Sequence, residues 1–238
     1  MLSLNSVEDS FFGKLYFLDG ISTKSMWSSL TVCHTIIIKF SPHYPFPLAG
    51  EIYNDFRKIV RNTKKVDKFL MLGVGGGLGF FIVDRYHPKA EMVGVDISQT
   101  VLDKAVNFFH VPDKTKLICG DVREVINDFE RSYFDLIFLD VFKDFRPSFD
   151  IIKENFIWKV CSVLKNDGLL SMNICKLGKN DEFYQGVLKS FEESFEEVDV
   201  IPTRNFLFRI TNFLAFGNLK TNHLIVGRRK KIFEERGG

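Results

Sequence analysis

Cysteine is scarce and unpaired. Cys33, Cys119, Cys161 and Cys175 lie far apart and form no CxxC pair, which leaves no basis for a disulfide framework or a zinc site. No metal is therefore expected. Three of them, Cys119, Cys161 and Cys175, sit in apolar runs, where a free thiol behaves as a small hydrophobe. Neither charge sign dominates: 32 basic residues face 30 acidic ones, and a dedicated nucleic-acid binder would carry a basic face or stripe. The short cluster Arg228-Arg229-Lys230-Lys231 reads as a solvated strand end. Long apolar runs are missing too. The longest, around Thr35–Phe40, is far too short to span a bilayer. The N-terminal stretch holds Glu8 and Asp9 and lacks a basic-then-apolar signal layout. A reducing, cytoplasmic setting is expected, with no nucleic-acid or membrane partner. Repeats and low-complexity tracts are likewise missing.

Phenylalanine is the residue in excess, with 26 copies, and reads as core material. Residues 13–40 read as β-structure. GKLYFLDGISTK suggests two short strands turning at Asp19-Gly20, and Leu30 to Phe40 a further strand. Pro42, Pro45 and Pro47 then mark a boundary. The expected organisation is a small β-domain over residues 1–47 and a Rossmann-like, nucleoside-binding domain over residues 48–238.

From Leu48 onward the pattern alternates. AGEIYNDFRKIV is an amphipathic helix, KFLMLGV a buried strand, and GGGLG opens a helix running through Arg85. AEMVGVD, KLICGD, YFDLIFLD and GLLSMNIC read as the next four strands, separated by helices. One of those helices, Phe149 to Leu164, is expected to stop at Asp167-Gly168. A further helix from Glu182 to Phe195 and terminal strands including NHLIVGRR complete the pattern. Strands apolar throughout and joined by helices mean a parallel sheet covered on both faces, an α/β fold. Ligands of such sheets bind beyond the carboxyl ends of the strands, where strand order reverses.

The candidate site residues fall at those strand ends. Gly73, Gly75, Gly76 and Gly77 follow a strand and open a helix, as in a loop that lets a ligand approach the backbone. No GK[ST] follows, so the loop is not a phosphate-binding P-loop. Asp96 ends the second strand, 21 residues after Gly75, where a carboxylate accepts both ribose hydroxyls. A helix N-cap is the other role open to it, although Ser98 can fill that one. At the end of the third strand, Asp121 can accept from an adenine amino group while a backbone N–H meets a ring nitrogen. Capping of the next helix is the competing role. Ile97 beside Asp96 and Val122 beside Asp121 complete the nucleoside-binding set. Asp140 closes the fourth strand, where a carboxylate can steady a sulfonium or take a proton from an amine. Asp144 follows in the loop as a second acceptor contact, with Lys143 beside it read as a solvated partner.

GVGGGLG, VGVDISQTVLDKAVNFF, CGDVREVI and YFDLIFLDVFKDFRP, followed by LKNDGLLSMNI, together resemble the spermidine synthases and their relatives within the class I methyltransferase fold. The LYFLDGI segment looks like that family's N-terminal hairpin domain. The resemblance implies transfer of an aminopropyl group from decarboxylated S-adenosylmethionine to a polyamine acceptor, a small-molecule amine. Under it, Asp96 holds ribose, Asp121 holds adenine, and Asp140 orients and deprotonates the attacking amine. It also implies a homodimer.

Three departures place the chain on a divergent, spermidine-synthase-like branch. Leu78 stands where the family has an acid for the cofactor's ammonium. Lys143 occupies the place of the second loop acid. The tyrosine–glutamate–histidine motif is not recognisable, Tyr53 and His43 being out of pattern, and His34 reads as a strand residue. Leu78 keeps open a methyltransferase using S-adenosylmethionine itself, whose methionine end carries its own carboxylate. A non-catalytic member of an assembly is a third class. An NAD-dependent oxidoreductase is disfavoured for want of a placed Tyr–Lys pair.

Overall fold

The computed structural model describes residues 2–10, 13–20, 35–40, 50–141, 154–177, 180–202 and 220–229. Two sheets are present among them. The smaller has three strands, β1 (Leu2–Ser10), β2 (Gly13–Gly20) and β3 (Thr35–Phe40), in that order. β1 and β2 are antiparallel, closing with Ser10 opposite Gly13, while β3 runs parallel to β2. The hairpin thus does not turn at Asp19-Gly20. Leu15 to Leu18 is one unbroken apolar run, so Gly13–Gly20 forms a single strand and the Asp-Gly pair punctuates its end. The expected boundary after Pro47 lies outside the described residues.

The larger sheet has seven strands, numbered here in chain order. They are β4 (Lys68–Leu72), β5 (Glu91–Asp96), β6 (Thr115–Cys119), β7 (Phe134–Leu139), β8 (Leu164–Leu177), β9 (Glu197–Pro202) and β10 (Lys220–Arg228). Their spatial order is β6-β5-β4-β7-β8-β10-β9. β4 to β8 are parallel, but β10 is antiparallel to both β8 and β9. The sheet is thus mostly parallel, as the α/β fold expected from the sequence requires, with β10 as its antiparallel strand. Order reverses between β4 and β7, which opens a crevice at their carboxyl ends.

Among the described residues six α-helices flank the strands: α1 (Gly50–Asn62), α2 (Leu78–Tyr86), α3 (Gln99–Asn107), the short α4 (Val122–Val125), α5 (Glu154–Val163) and α6 (Glu182–Ser194). Alternation along the strands sorts the core into two faces. Leu70, Leu72, Ile137, Leu139, Leu170 and Met172 face α5 and α6, while Phe69, Met71, Leu136 and Phe138 face α1, α2 and α3. Phenylalanine fills much of this volume as expected. Phe56 stacks on Phe138 with centroids 4.2 Å apart, and Phe69 meets Phe80 edge-on.

Helix α5 ends at Val163, before the Asp167-Gly168 signal. Leu164 already pairs with Phe134 of β7, and Asp167 adopts φ 63° within a register shift of β8. The helix end is satisfied from a distance. Arg229, 6% exposed, donates to the carbonyls of Ser162 and Leu164 and to the Ser132 hydroxyl. These are carbonyls a helix end leaves without an internal partner. Arg229 is therefore no part of a solvated basic patch. Replacing it with methionine is expected to cost about 2 kcal/mol, because several charge-assisted hydrogen bonds are lost. The exposed pair of Arg228 with Glu197 is worth under about 1 kcal/mol. Urea melts of Arg229→Met and Arg228→Met check this, and equal midpoints would refute it.

Candidate functional site

Backbone hydrogen bonds run across one rim of the larger sheet. Gly73 N–H donates to Val95 O (2.9 Å), Gly120 N–H to Asp96 O (2.9 Å) and Asp140 N–H to Leu72 O (2.8 Å). The glycine loop and the ends of β5, β6 and β7 are thereby fixed side by side. Gly73, at φ 87°, lies so close to β7 that a Cβ would stand 2.4 Å from the Asp140 carbonyl oxygen. Gly77, at φ 73°, is the left-handed residue from which α2 starts.

The missing Cβ atoms do not all serve ligand approach. A Cβ on Gly73 would meet Asp140, on Gly76 the Phe109 ring, and on Gly77 Val111. A Cβ on Gly75 would meet nothing within 4 Å among the described residues. Gly75 is the loop glycine with an open side.

Asp96 reaches back to this loop. Its Oδ2 accepts from Val74 N–H (2.9 Å) and Gly75 N–H (3.4 Å), and its Oδ1 from Ser98 N–H (3.0 Å). Burial raises its pKa above the ordinary carboxylate value, and the backbone N–H groups pull the other way. Ser98, not Asp96, caps α3 through its hydroxyl. Ile97 beside it is 38% exposed, a large apolar side chain left bare at the rim. Cys119 is exposed rather than buried in an apolar run, with its Sγ 3.7 Å from Ile97 O, because β6 is the edge strand.

Asp121 sits on the same rim but is engaged locally. It caps α4 by accepting from Arg123 N–H (2.9 Å), and the Arg123 side chain pairs with its carboxylate. That guanidinium holds the Asp121 pKa below its usual value. Val122 is buried behind it.

At the end of β7, Asp140 lies in a polar pocket that the sequence did not reveal. Its Oδ2 accepts the Tyr53 hydroxyl at 2.6 Å, and its Oδ1 accepts Asn173 Nδ2 at 2.8 Å. Burial pushes the Asp140 pKa up, while these two hydrogen bonds oppose the rise. Burial, then the neighbouring carboxylate, hold the Tyr53 pKa well above 10, so the phenol stays protonated and remains a donor. Tyr53 reaches this point because α1 packs Phe56 on Phe138 of β7, with the Tyr53 ring edge-on to Phe138 at 5.4 Å. Only the amide nitrogen of Asn173 can donate to a carboxylate, which turns Oδ1 away. That oxygen is buried and has no hydrogen-bond partner among the described residues. A buried acceptor left open in this way is unusual.

Tyr53, set aside in the sequence as out of the family's motif, follows the spacing of a core residue on an amphipathic helix, which hides its contact with Asp140. Asn173 does carry a signal: with Ser171 it is one of two polar residues in the otherwise apolar strand GLLSMNIC. Leu78 begins α2, is half-buried against the α1–α2 core, and no acid occupies that helix's first turn. Asp144 and Lys143 lie outside the described residues, as do His34 and His43. Among the described residues no His, Cys, Asp and Glu group could hold a metal ion, and no helix is long and apolar enough to cross a membrane.

Comparison with known proteins gives the same outline. The family model of a methyltransferase domain matches residues 69–168. A probable polyamine aminopropyl transferase of Bifidobacterium longum is 28% identical over 127 residues, 53% of this chain and 28% of its own length. A polyamine aminopropyltransferase of Neisseria meningitidis is 29% identical over 128 residues, 52% of this chain and 47% of its own. The chain thus spans less than half the length of either relative. The spermidine synthase of Thermotoga maritima superposes with a TM-score of 0.62 at 14% identity, covering 95% of this chain and 72% of that one. The chain thus carries a methyltransferase-type domain over residues 69–168, has the fold of the spermidine synthases and class I methyltransferases, and is similar in sequence to polyamine aminopropyltransferases.

Proposed function

We propose that this chain is a transferase that moves an aminopropyl group from decarboxylated S-adenosylmethionine to a polyamine acceptor. The observation that carries the reading is the part-buried Tyr53–Asp140–Asn173 trio beside the glycine loop. The names of the two relatives support it.

The sulfonium co-substrate supplies an electrophilic carbon next to sulfur. A neutral amine nitrogen attacks that carbon in line, the carbon–sulfur bond breaks with its electrons going to sulfur, and methylthioadenosine leaves. The new nitrogen then carries one proton too many. Asp140 is the group to take it, and a carboxyl whose pKa is raised by burial is a stronger base than an exposed one. Tyr53 and Asn173 hold that carboxylate in place for the acceptor's N–H groups. Asp96 would take the ribose hydroxyls with Ile97 against the base. Asp121 and the Val122 N–H would read the adenine edge once Arg123 yields. Gly75 offers the open side of the loop, with Gly73, Gly76 and Gly77 shaping it. Asp144 is the second acceptor contact in this reading, and the working form is a cytoplasmic homodimer.

One observation favours a second reading, methyl transfer from S-adenosylmethionine. Leu78 and the acid-free first turn of α2 offer no counter-charge to the ammonium of the decarboxylated form. A cation left unpaired in a dry site is costly. Calorimetric titration with each sulfonium separates the two. Aminopropyl transfer requires tighter binding of the decarboxylated compound, and tighter binding of the carboxylated one overturns it.

A further inference from the structure

Helix α3 is fastened to the glycine loop at both ends. At its start, Asp96 joins the Ser98 N–H to those of Val74 and Gly75. Its far end is unusual. The N–H groups of Phe108 and Phe109 both reach Lys104 O at 2.9 Å, His110 takes φ 56°, and Val111 N–H returns to Ala105 O at 3.0 Å. A left-handed, non-glycine residue costs about 1 kcal/mol or more, so surrounding contacts must hold the turn in place.

Those contacts lie on the loop. Three atoms of the Phe109 ring stand 3.3, 3.4 and 3.5 Å from where a Cβ on Gly76 would be, and Val111 Cγ1 stands 2.2 Å from the same point on Gly77. Phe109 is itself braced edge-on by Phe108, with centroids 4.9 Å apart. Gly76 does not have a positive φ. The ring, rather than backbone conformation, is what a side chain at that position would press on, by a few tenths of an ångström.

We propose that Phe109 is a positioning residue for the nucleoside site: its ring backs Gly76 and holds the loop in the shape that presents the Gly75 side. Phe109 touches no reacting atom in the proposed chemistry. It acts through the loop at Gly76, while Asp96 holds Val74 and Gly75. The ligand part of this inference rests on the nucleoside-binding reading; the mechanical part does not.

Amide hydrogen exchange and calorimetry test both parts on the full chain. In Phe109→Ala without ligand, exchange at Val74 and Gly77 is expected to speed up about tenfold, the size of one coupled contact. Amides of β4 and β7 should keep the wild-type rates. The Kd for methylthioadenosine should rise by about the same factor, and Phe109→Tyr should restore both readouts. Gly76→Ala should disturb the loop less when combined with Phe109→Leu, which makes room for the new methyl. Unchanged loop exchange in Phe109→Ala, or an equal rise across all amides, overturns the proposal. If the wild-type chain does not bind the nucleoside, the functional reading fails, and the exchange measurement still decides whether Phe109 holds the loop.

Discussion

Asp140→Asn is expected to lose turnover by about 10²- to 10⁴-fold, the usual contribution of a positioned base, while methylthioadenosine binding stays near wild type. The substitution is nearly isosteric and keeps two hydrogen bonds available. The amide oxygen accepts from Asn173, and the new N–H₂ donates to the Tyr53 oxygen. Stability should respond in the opposite sense to activity. Burial raises the folded-state pKa of Asp140, so the folded chain holds that proton more tightly than the unfolded one. The stabilising contribution is full below the ordinary carboxylate value of 3.8 and is lost as pH rises through the raised value. The amide variant has no such loss. Its melting temperature should therefore gain on wild type as pH climbs through that window, then run parallel to it. Tyr53→Phe is the control, since it removes a hydrogen bond that lowers the Asp140 pKa, and should shift the acid limb of kcat/KM toward higher pH. Equal loss of turnover and nucleoside binding in Asp140→Asn would show that Asp140 holds the loop and does no chemistry.

What sequence could and could not reveal follows from the range of the interactions. The strands from Lys68 to Leu139 were legible because apolar runs bounded by glycine and aspartate are local signals. Seven strand ends and helix starts there fall within a residue or two of expectation. The antiparallel β10 was not legible, because strand direction depends on the path of the chain before it. The early end of α5 was hidden for a similar reason: the group that satisfies it, Arg229, lies 65 residues beyond Leu164. In the site, Asp96 and Asp140 stood out as acids closing apolar strands. Tyr53 did not, since it meets Asp140 across 87 residues and follows the same helical spacing as its core neighbours. Asp121 shows the converse. Its strand-end position was plain, but the arginine two residues on, which engages its carboxylate, was overlooked although adjacent in sequence.

Two glycines of one loop should fail in different ways when given a methyl group. Gly73→Ala meets both obstacles at once. Its φ of 87° disfavours any side chain, and the new Cβ would stand 2.4 Å from the Asp140 carbonyl oxygen and 2.8 Å from its carbon. Backbone cannot swing aside as a side-chain tip can, so the end of β7 must move and strain the 2.8 Å bond from Asp140 N–H to Leu72 O. Left-handed strain and overpacking together cost about 3–5 kcal/mol, a large part of the 5–15 kcal/mol by which a typical domain is stable. Gly75→Ala meets only the first obstacle. At φ 51° with nothing within 4 Å of the new Cβ, it costs about 1–2 kcal/mol of backbone strain. Its methyl group instead enters the space on the open side of the loop, so nucleoside binding should weaken by well over about tenfold, more than 1.4 kcal/mol. Thermal melts paired with methylthioadenosine titration distinguish the two: Gly73→Ala should lose the fold first and Gly75→Ala the ligand first. If Gly75→Ala bound the nucleoside as well as wild type, the ligand would have to approach from another side, and the loop would serve only to pack α2 and α3 against the sheet.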